Sequence, residues 1–204
     1  MHLNVKSWKK QLHQKIELAK FMYRNFRIYD FGSYALNRLT PKQGYTVQHN
    51  VPYGLKARHR LDLYRSSAPR QQRPLIVFVH GGAWMHGDKK DYSFIGEAFA
   101  KEGFDVAVIN YHLAPKHIFP SYIDDLSLAL NFLSQSQQKL QIAAENIVLM
   151  GHSAGAFNVM SALYNPHPYP LQSKDKIRAI IGLAGPYHFD YKGDPLCADA
   201  FDQN

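Results

Sequence analysis

The stretch whose residue types and spacing are best suited to chemistry is the pentapeptide Gly-His-Ser-Ala-Gly at 151–155. It follows a continuous apolar run, Ile147–Met150, and it opens a helical pattern, Ala154–Tyr164. A serine between a buried strand and a helix lies on a sharp turn, and small residues two positions before and after it prevent clashes. The new helix directs its amides and the positive end of its dipole at the reacting oxygen. This context predicts that Ser153 is a nucleophile; the alternative is a strand-to-helix turn with a capping serine.

A second pattern, the run His-Gly-Gly-Ala-Trp at 80–84, directly follows the apolar run Leu75–Val79. Glycines let the backbone turn its N–H groups toward a shared point, and such donors stabilise the oxyanion of a tetrahedral intermediate. The predicted oxyanion-hole residues are Gly81, Gly82, Ala83 and Ala154. The alternative is a Gly-Gly loop without a chemical role. His80 is expected to be a structural residue of this loop, because the base follows the nucleophile in chain order.

Three motifs in a fixed order make the sequence similar to a known family: HGGAW at 80–84, NYHLAPKHIFPSYIDD at 110–125 and GHSAGA at 151–156. From about residue 45 onward the chain resembles the esterase/lipase branch of the α/β-hydrolases. That branch includes hormone-sensitive-lipase-like esterases, feruloyl-esterase-like domains and kynurenine formamidases, and the HGGAW form is closer to the last two groups. The resemblance implies hydrolysis of a small-molecule ester, or of an amide as in arylformamidases, through an acyl-serine and without a cofactor or a metal.

The base and the acid of a catalytic triad are expected to be absent from this sequence. In the α/β-hydrolase fold the order along the chain is Ser, then Asp or Glu, then His, and the strand–helix units that carry the last two are not found after Ser153. Asp190, just past the last predicted strand, is a candidate acid, whereas neither His167 nor His188 follows a later strand. The chain is therefore expected to be an N-terminal part that is nearly inactive alone. A non-catalytic hydrolase-fold protein that binds a ligand is the alternative.

Two adjacent carboxylates, Asp124 and Asp125, stand in the first turns of a predicted helix. Negative charge is favourable there because it complements the helix dipole. Both residues precede Ser153 in the chain, so the order of the triad predicts structural roles for them and not catalytic ones.

From residue 44 onward, strand patterns alternate with helix patterns. Two alternating segments, Tyr45–Val51 and Arg60–Tyr64, are predicted to be exposed strands. Buried strands are predicted at 75–79 and 105–110, further strands at 147–150 and 177–183, and helices at 92–101, 120–140 and 154–164. This alternation predicts the α/β class: an α/β-hydrolase fold with a mostly parallel sheet, helices on both faces and its C-terminal strands missing. The predicted hydrolase domain spans 44–204, after an N-terminal helix and linker at 1–43.

The N-terminal segment carries the positive charge of the chain. The first 74 residues contain 15 lysines and arginines against 3 acidic residues, and the net charge of the whole chain is +8. A helix with one apolar stripe is predicted over residues 5–28. Packing of this stripe on the rest of the domain is favoured, and contact with an anionic membrane surface is the alternative. No zinc-finger, RRM or helix-turn-helix pattern occurs, so nucleic acid is not predicted as a partner.

The composition, 46% hydrophobic and 20% charged, is that of an ordinary globular protein. No apolar run reaches the roughly 18 residues of a membrane span, and the first residues are too polar for a signal peptide. A lone cysteine, Cys197, excludes an intramolecular disulfide and a cysteine-rich metal site. These features are typical of a cytoplasmic protein. They predict neither the oligomeric state nor the acyl and alcohol parts of a substrate.

Overall fold

A computed structural model describes residues 28–40, 42–166, 168–188, 190 and 198–201. The helix predicted over 5–28 lies outside these residues except at its last position. The strands are β1 (Tyr45–Pro52), β2 (Arg60–Ser66), β3 (Leu75–Val79), β4 (Asp105–Ile109), β5 (Ile147–His152) and β6 (Ile177–Leu183). The α-helices of the described residues are α1 (Ile28–Leu39), α2 (Ser93–Lys101), α3 (Ser121–Gln135), α4 (Gln137–Leu140) and α5 (Ala154–Tyr164).

The six strands form one mixed sheet in the order β1-β2-β4-β3-β5-β6. The pairs β1–β2 and β2–β4 are antiparallel, and the pairs β4–β3, β3–β5 and β5–β6 are parallel. This arrangement confirms the predicted α/β class and the mostly parallel sheet. Among the described residues no strand pairs with the outer edge of β6, and most of its residues are exposed.

The two faces of the sheet are covered by different helices. Along β3 the side chains alternate, as they must in a strand: Leu75, Val77 and Val79 join the core that α3 and α5 cover, whereas Ile76 and Phe78 join the core that α2 covers. All five side chains are buried, which explains why β3 is a continuous apolar run. The prediction of helices on both faces is confirmed.

The register of the parallel strands brings three loops to one edge of the sheet. Val79, at the end of β3, pairs with Ile109 of β4 on one side and with Gly151 of β5 on the other. The chain therefore leaves β3, β4 and β5 at the same edge, and the HGGAW loop lies between the other two connections. The motifs that were singled out in the sequence are neighbours for this reason.

Three predicted elements need correction. The helix predicted over 120–140 is two helices, because Ser136 leaves the helical conformation at φ −104° and ψ 17°. The side chain of Gln137 accepts the Ala144 amide at 2.7 Å, which favours a turn at this point. β2 was predicted to be exposed but is largely buried, because β1 and β4 flank it and side chains from both of its faces enter the core. The helix predicted to begin at Tyr92 begins at Ser93, after a 3-10 turn.

Helix α1 and the residues after it contact the segment that contains the 3-10 turn and α2. The side-chain amide of Asn37 donates to the carbonyl oxygen of Lys90 at 3.0 Å, and its oxygen accepts from the Phe94 amide at 2.8 Å. Lys42 forms an ion pair with the buried Glu97. None of the helices in the described residues is long and apolar enough to cross a membrane.

Candidate active site

Ser153 lies on the turn between β5 and α5, as its sequence context predicts. Its backbone has φ 51° and ψ −120°, a left-handed φ that residues other than glycine rarely adopt. The Ser153 amide donates to the Leu183 carbonyl of β6 at 2.8 Å, and the Ser153 carbonyl accepts from the Ala156 amide at 2.9 Å. The turn is therefore held from both sides, while the serine side chain makes no capping hydrogen bond to the helix. The capping alternative is not what the structure shows.

The glycines on either side of Ser153 are required by close backbone packing. A Cβ atom on Gly155 would lie 2.6 Å from the carbonyl oxygen of His80 and closer still to that of Val79. A Cβ atom on Gly151 would lie 2.6 Å from the Ala156 amide nitrogen. Such separations are essentially never seen for real Cβ atoms. Glycine at 155 therefore lets the start of α5 approach the end of β3, and glycine at 151 lets the same helix start lie close to β5.

The HGGAW loop touches the serine turn directly. A Cβ atom on Gly81 would lie 3.0 Å from the Cβ of Ser153 and 2.9 Å from the carbonyl oxygen of His152. Gly82 and Ala83 both have positive φ, at 130° and 49°, so the loop turns sharply beside the serine. The loop thus provides the close approach that the sequence predicts.

Several backbone amides near Ser153 have no acceptor. The Gly82 carbonyl accepts from the amides of Met85 and His86 at 3.0 and 2.9 Å, which closes the loop. By contrast, no group in the described ranges accepts a hydrogen bond from the backbone amides of Gly82, Ala83 and Ala154. Unpaired N–H groups beside a serine are what an oxyanion hole needs.

The side chain of Trp84 anchors the HGGAW loop to α5, a contact that the sequence patterns do not predict. Its indole Nε1 donates to the Oδ1 atom of Asn158 in α5 at 2.8 Å, and both side chains are buried. The rings of Phe157 and Phe201 meet the indole edge-to-face at 5.4 and 4.9 Å. The buried asparagine in an otherwise apolar helix was the available signal, because a buried amide needs a polar partner.

Comparison with known proteins decides the family. The model of the BD-FAE family matches residues 61–194, which include both the loop and the serine turn. The chain belongs to the BD-FAE family. The sequence is similar to the kynurenine formamidase of Drosophila melanogaster, with 32% identity over 149 residues, which cover 73% of this chain and 48% of that protein.

Other relatives and solved structures agree with this assignment. An isoprenylcysteine alpha-carbonyl methylesterase of Arabidopsis thaliana is 32% identical over 148 residues, which cover 70% of this chain and 35% of that protein. The BD-FAE chain thus spans between about a third and about half of these two relatives. The crystal structure of esterase B from Lactobacillus rhamnosis superposes with a TM-score of 0.67 at 18% identity, covering 95% of this chain and 65% of that one. The esterase structure supports the α/β-hydrolase fold.

The histidines around the serine turn of this BD-FAE chain are engaged elsewhere. His80 is fully buried; its Nδ1 donates to the Gly81 carbonyl at 2.8 Å, and its ring stacks on Tyr111. These are the contacts of a structural residue, as expected. The Nδ1 atom of His152 is 2.9 Å from the hydroxyl of Tyr92, and burial lowers the pKa of His152.

The residues after β6 do not complete a triad among the described residues. Asp190 and His188 are both exposed. His188 makes no hydrogen bond with Ser153 within the described part of the chain. His167 lies outside the described residues.

Asp125 is the centre of a buried network that the sequence reasoning did not foresee. Its Oδ2 atom accepts from the amide of His112 at 2.8 Å and from His112 Nδ1 at 2.7 Å, and its Oδ1 atom accepts from His59 Nε2 at 2.8 Å. Asp124 instead accepts from the Tyr169 amide at 3.0 Å. Both carboxylates accept hydrogen bonds from neighbouring segments of the chain, which favours the predicted structural roles.

The side chains of His59, His112 and Asp125 also form the group among the described residues that could hold a metal ion, since their ligand atoms lie within 4.8 Å of one another. We interpret His59, His112 and Asp125 as a hydrogen-bonded network, because each imidazole directs a nitrogen at a carboxylate oxygen at hydrogen-bond distance. Lys56 and Lys116 lie close by and would repel a cation.

Three histidines with lowered pKa values predict how stability depends on pH. Burial is the main cause that lowers the pKa values of His59, His117 and His152. Below their ordinary value of about 6.5 the unfolded chain therefore binds more protons than the folded chain, so stability falls as pH is lowered. We expect the urea midpoint to decrease from pH 7.5 to pH 5.5. Carboxylates such as Glu145, whose pKa is lowered, contribute only below about pH 4.5. A midpoint that rises over this window would contradict the prediction.

Proposed function

We propose that this chain carries the nucleophile and the oxyanion hole of a serine hydrolase that cleaves carboxylic esters of small molecules. The observation that carries the proposal is the position of Ser153 on a left-handed turn beside the unpaired amides of Gly82, Ala83 and Ala154. Family membership supports it, because the relatives named above are a methylesterase and a formamidase.

The geometry suits a two-step acyl transfer. The Ser153 Oγ attacks the carbonyl carbon, a general base takes the hydroxyl proton, and the carbonyl π electrons move to the oxygen. The oxyanion accepts hydrogen bonds from the amides, the C–O bond to the alcohol then breaks, and the alcohol leaves with the proton. Water repeats the sequence on the acyl-serine and releases the acid. No cofactor is needed for either step.

We assign the general base to a histidine that this chain does not contain. His59, His80 and His112 are buried and form hydrogen bonds with Asp125 or Gly81, and His188 makes no hydrogen bond with Ser153 among the described residues. Asp190 stays a candidate acid on the strand order of the fold alone. A chain without its base retains about 10³–10⁴-fold catalysis over water, so the 204 residues alone are expected to be nearly inactive.

The proposal is tested by covalent labelling. A fluorophosphonate probe should modify the chain slowly, and peptide mass spectrometry should place the adduct on Ser153. Ser153→Ala should abolish labelling, whereas Ser134→Ala, in α3, should leave the rate unchanged. Labelling that survives Ser153→Ala, or a folded chain that never reacts, would favour the non-catalytic ligand-binding alternative.

A second candidate is hydrolysis of an aryl formamide, which the 32% identity to a kynurenine formamidase favours. The serine turn and the unpaired backbone N–H groups would act on a formamide carbonyl in the same way. An amine is a poorer leaving group than an alcohol, however, and must be protonated as it departs. Competition distinguishes the two classes. An aryl formamide that slows Ser153 labelling more strongly than the matched aryl acetate would assign the formamide.

A further inference from the structure

A cavity of about 410 Å³ lies beside the site and plays no part in the proposed hydrolysis. It is bordered by the β1–β2 connection, at Lys56 and Arg58, and by the segment after β4, at His112, Lys116 and His117. The Ala114 amide of this segment donates to the Trp84 carbonyl at 2.9 Å, so the cavity flanks the HGGAW loop.

The charged side chains that line this cavity are all basic. Its lining contains three lysines and arginines and two histidines, and none of its lining residues is acidic. The ammonium groups of Lys56 and Lys116 form no ion pair or hydrogen bond with any described residue. Arg58 also lines the cavity, but its guanidinium donates to the Tyr111 and Gly87 carbonyls at 2.6 and 2.9 Å and forms an ion pair with Asp88 at 3.8 Å. Two cations are therefore free to meet an anion.

The floor of the cavity is a histidine whose orientation is fixed. Asp125 holds the Nδ1 atom of the buried His112, so the proton of the neutral ring lies on that nitrogen. The other ring nitrogen, Nε2, has no hydrogen-bond partner among the described residues. The carboxylate therefore fixes the tautomer and the orientation of a ring that lines the cavity.

We propose that this cavity is an anion subsite that binds a carboxylate or phosphate group through Lys56 and Lys116, beside the rings of His112 and His117. Charge-assisted hydrogen bonds from ammonium groups to such oxygens are the strong class of hydrogen bond. β3 alone separates β4 from β5, so the ends of these two strands are on the order of 10 Å apart. The subsite does not rest on the proposed hydrolysis, since binding needs no turnover.

The test is a titration of the 204-residue chain with sodium phosphate and, separately, sodium acetate, followed by NMR of the imidazole resonances. Saturable shifts are expected for His112 and His117. The variant Lys56→Gln/Lys116→Gln should weaken binding about tenfold, because it removes both free charges. Lys139→Gln, an exposed lysine of α4, is the matched control and should not change the affinity.

Each outcome decides the proposal. Saturable binding that the double variant loses supports the subsite, and tighter phosphate than acetate binding distinguishes a phosphorylated ligand from a carboxylate ligand. Shifts that sodium chloride reproduces at equal ionic strength, or that persist in the double variant, overturn it. Labelling of Ser153 is measured on the same samples, so that failure of the subsite and failure of the proposed hydrolase are distinguishable.

Discussion

The variant Gly155→Ala is expected to lose about 4 kcal/mol or more of folding free energy, enough to unfold a marginally stable domain. The added Cβ would lie 2.6 Å from the His80 carbonyl oxygen and nearer still to that of Val79. Both are backbone atoms at the end of a central strand that is paired on each side, so they cannot move away. The start of α5 would have to shift, and the serine turn would shift with it.

The matched control is Gly32→Ala in α1, where an added Cβ meets nothing within 4 Å. Alanine is a better helix former than glycine, so this variant should be neutral or more stable by about 0.5–1 kcal/mol. Both variants are compared by urea denaturation, with fluorophosphonate labelling as a second readout. A Gly155→Ala protein that unfolds at the wild-type midpoint would show that α5 does not pack on β3 as described.

The features that the sequence predicts well depend on neighbouring residues alone. Leu75–Val79 and Ile177–Leu183 have the same bounds in the structure as in the prediction, because a short apolar run between turns is a local signal. The serine turn needs only a strand, a pentapeptide and a helix in succession. A parallel sheet then brings the loop after β3 next to this turn, so two local motifs predict a shared edge.

The features that were missed depend on residues distant in the chain. Trp84 and Asn158 are 74 positions apart, and His59 and Asp125 are 66 apart, so neither pair has a local pattern. The sequence predicts an exposed β2 because an alternation of apolar and polar residues does not show which strands flank it. Helix α3 ends at Gln135 because the side chain of Gln137 bonds the backbone on both sides of the break, a contact that helix propensity does not describe.

Asp125→Ala is the second change with a large expected effect, a loss of about 3–5 kcal/mol. The carboxylate accepts three hydrogen bonds, from the His59 ring and from the ring and amide of His112. Removing it leaves three buried donors without an acceptor, and each costs about 1–3 kcal/mol when unsatisfied. Protonation of an imidazole offers no relief, because a buried charge without its counterion is less favourable still.

Asp124→Ala is the natural control, because it removes the neighbouring carboxylate on the same helical turn. Asp124 accepts from the Tyr169 amide and is only partly buried, so its loss should cost about 1 kcal/mol or less. The ratio of the two losses in free energy of unfolding tests the structural role of Asp125. Fluorophosphonate labelling of Ser153 tests the alternative, a catalytic role for Asp125. If Asp125 only supports the fold, Asp125→Asn should react with a fluorophosphonate at the wild-type rate per folded molecule. A large decrease in that rate without unfolding would instead link Asp125 to the chemistry of Ser153.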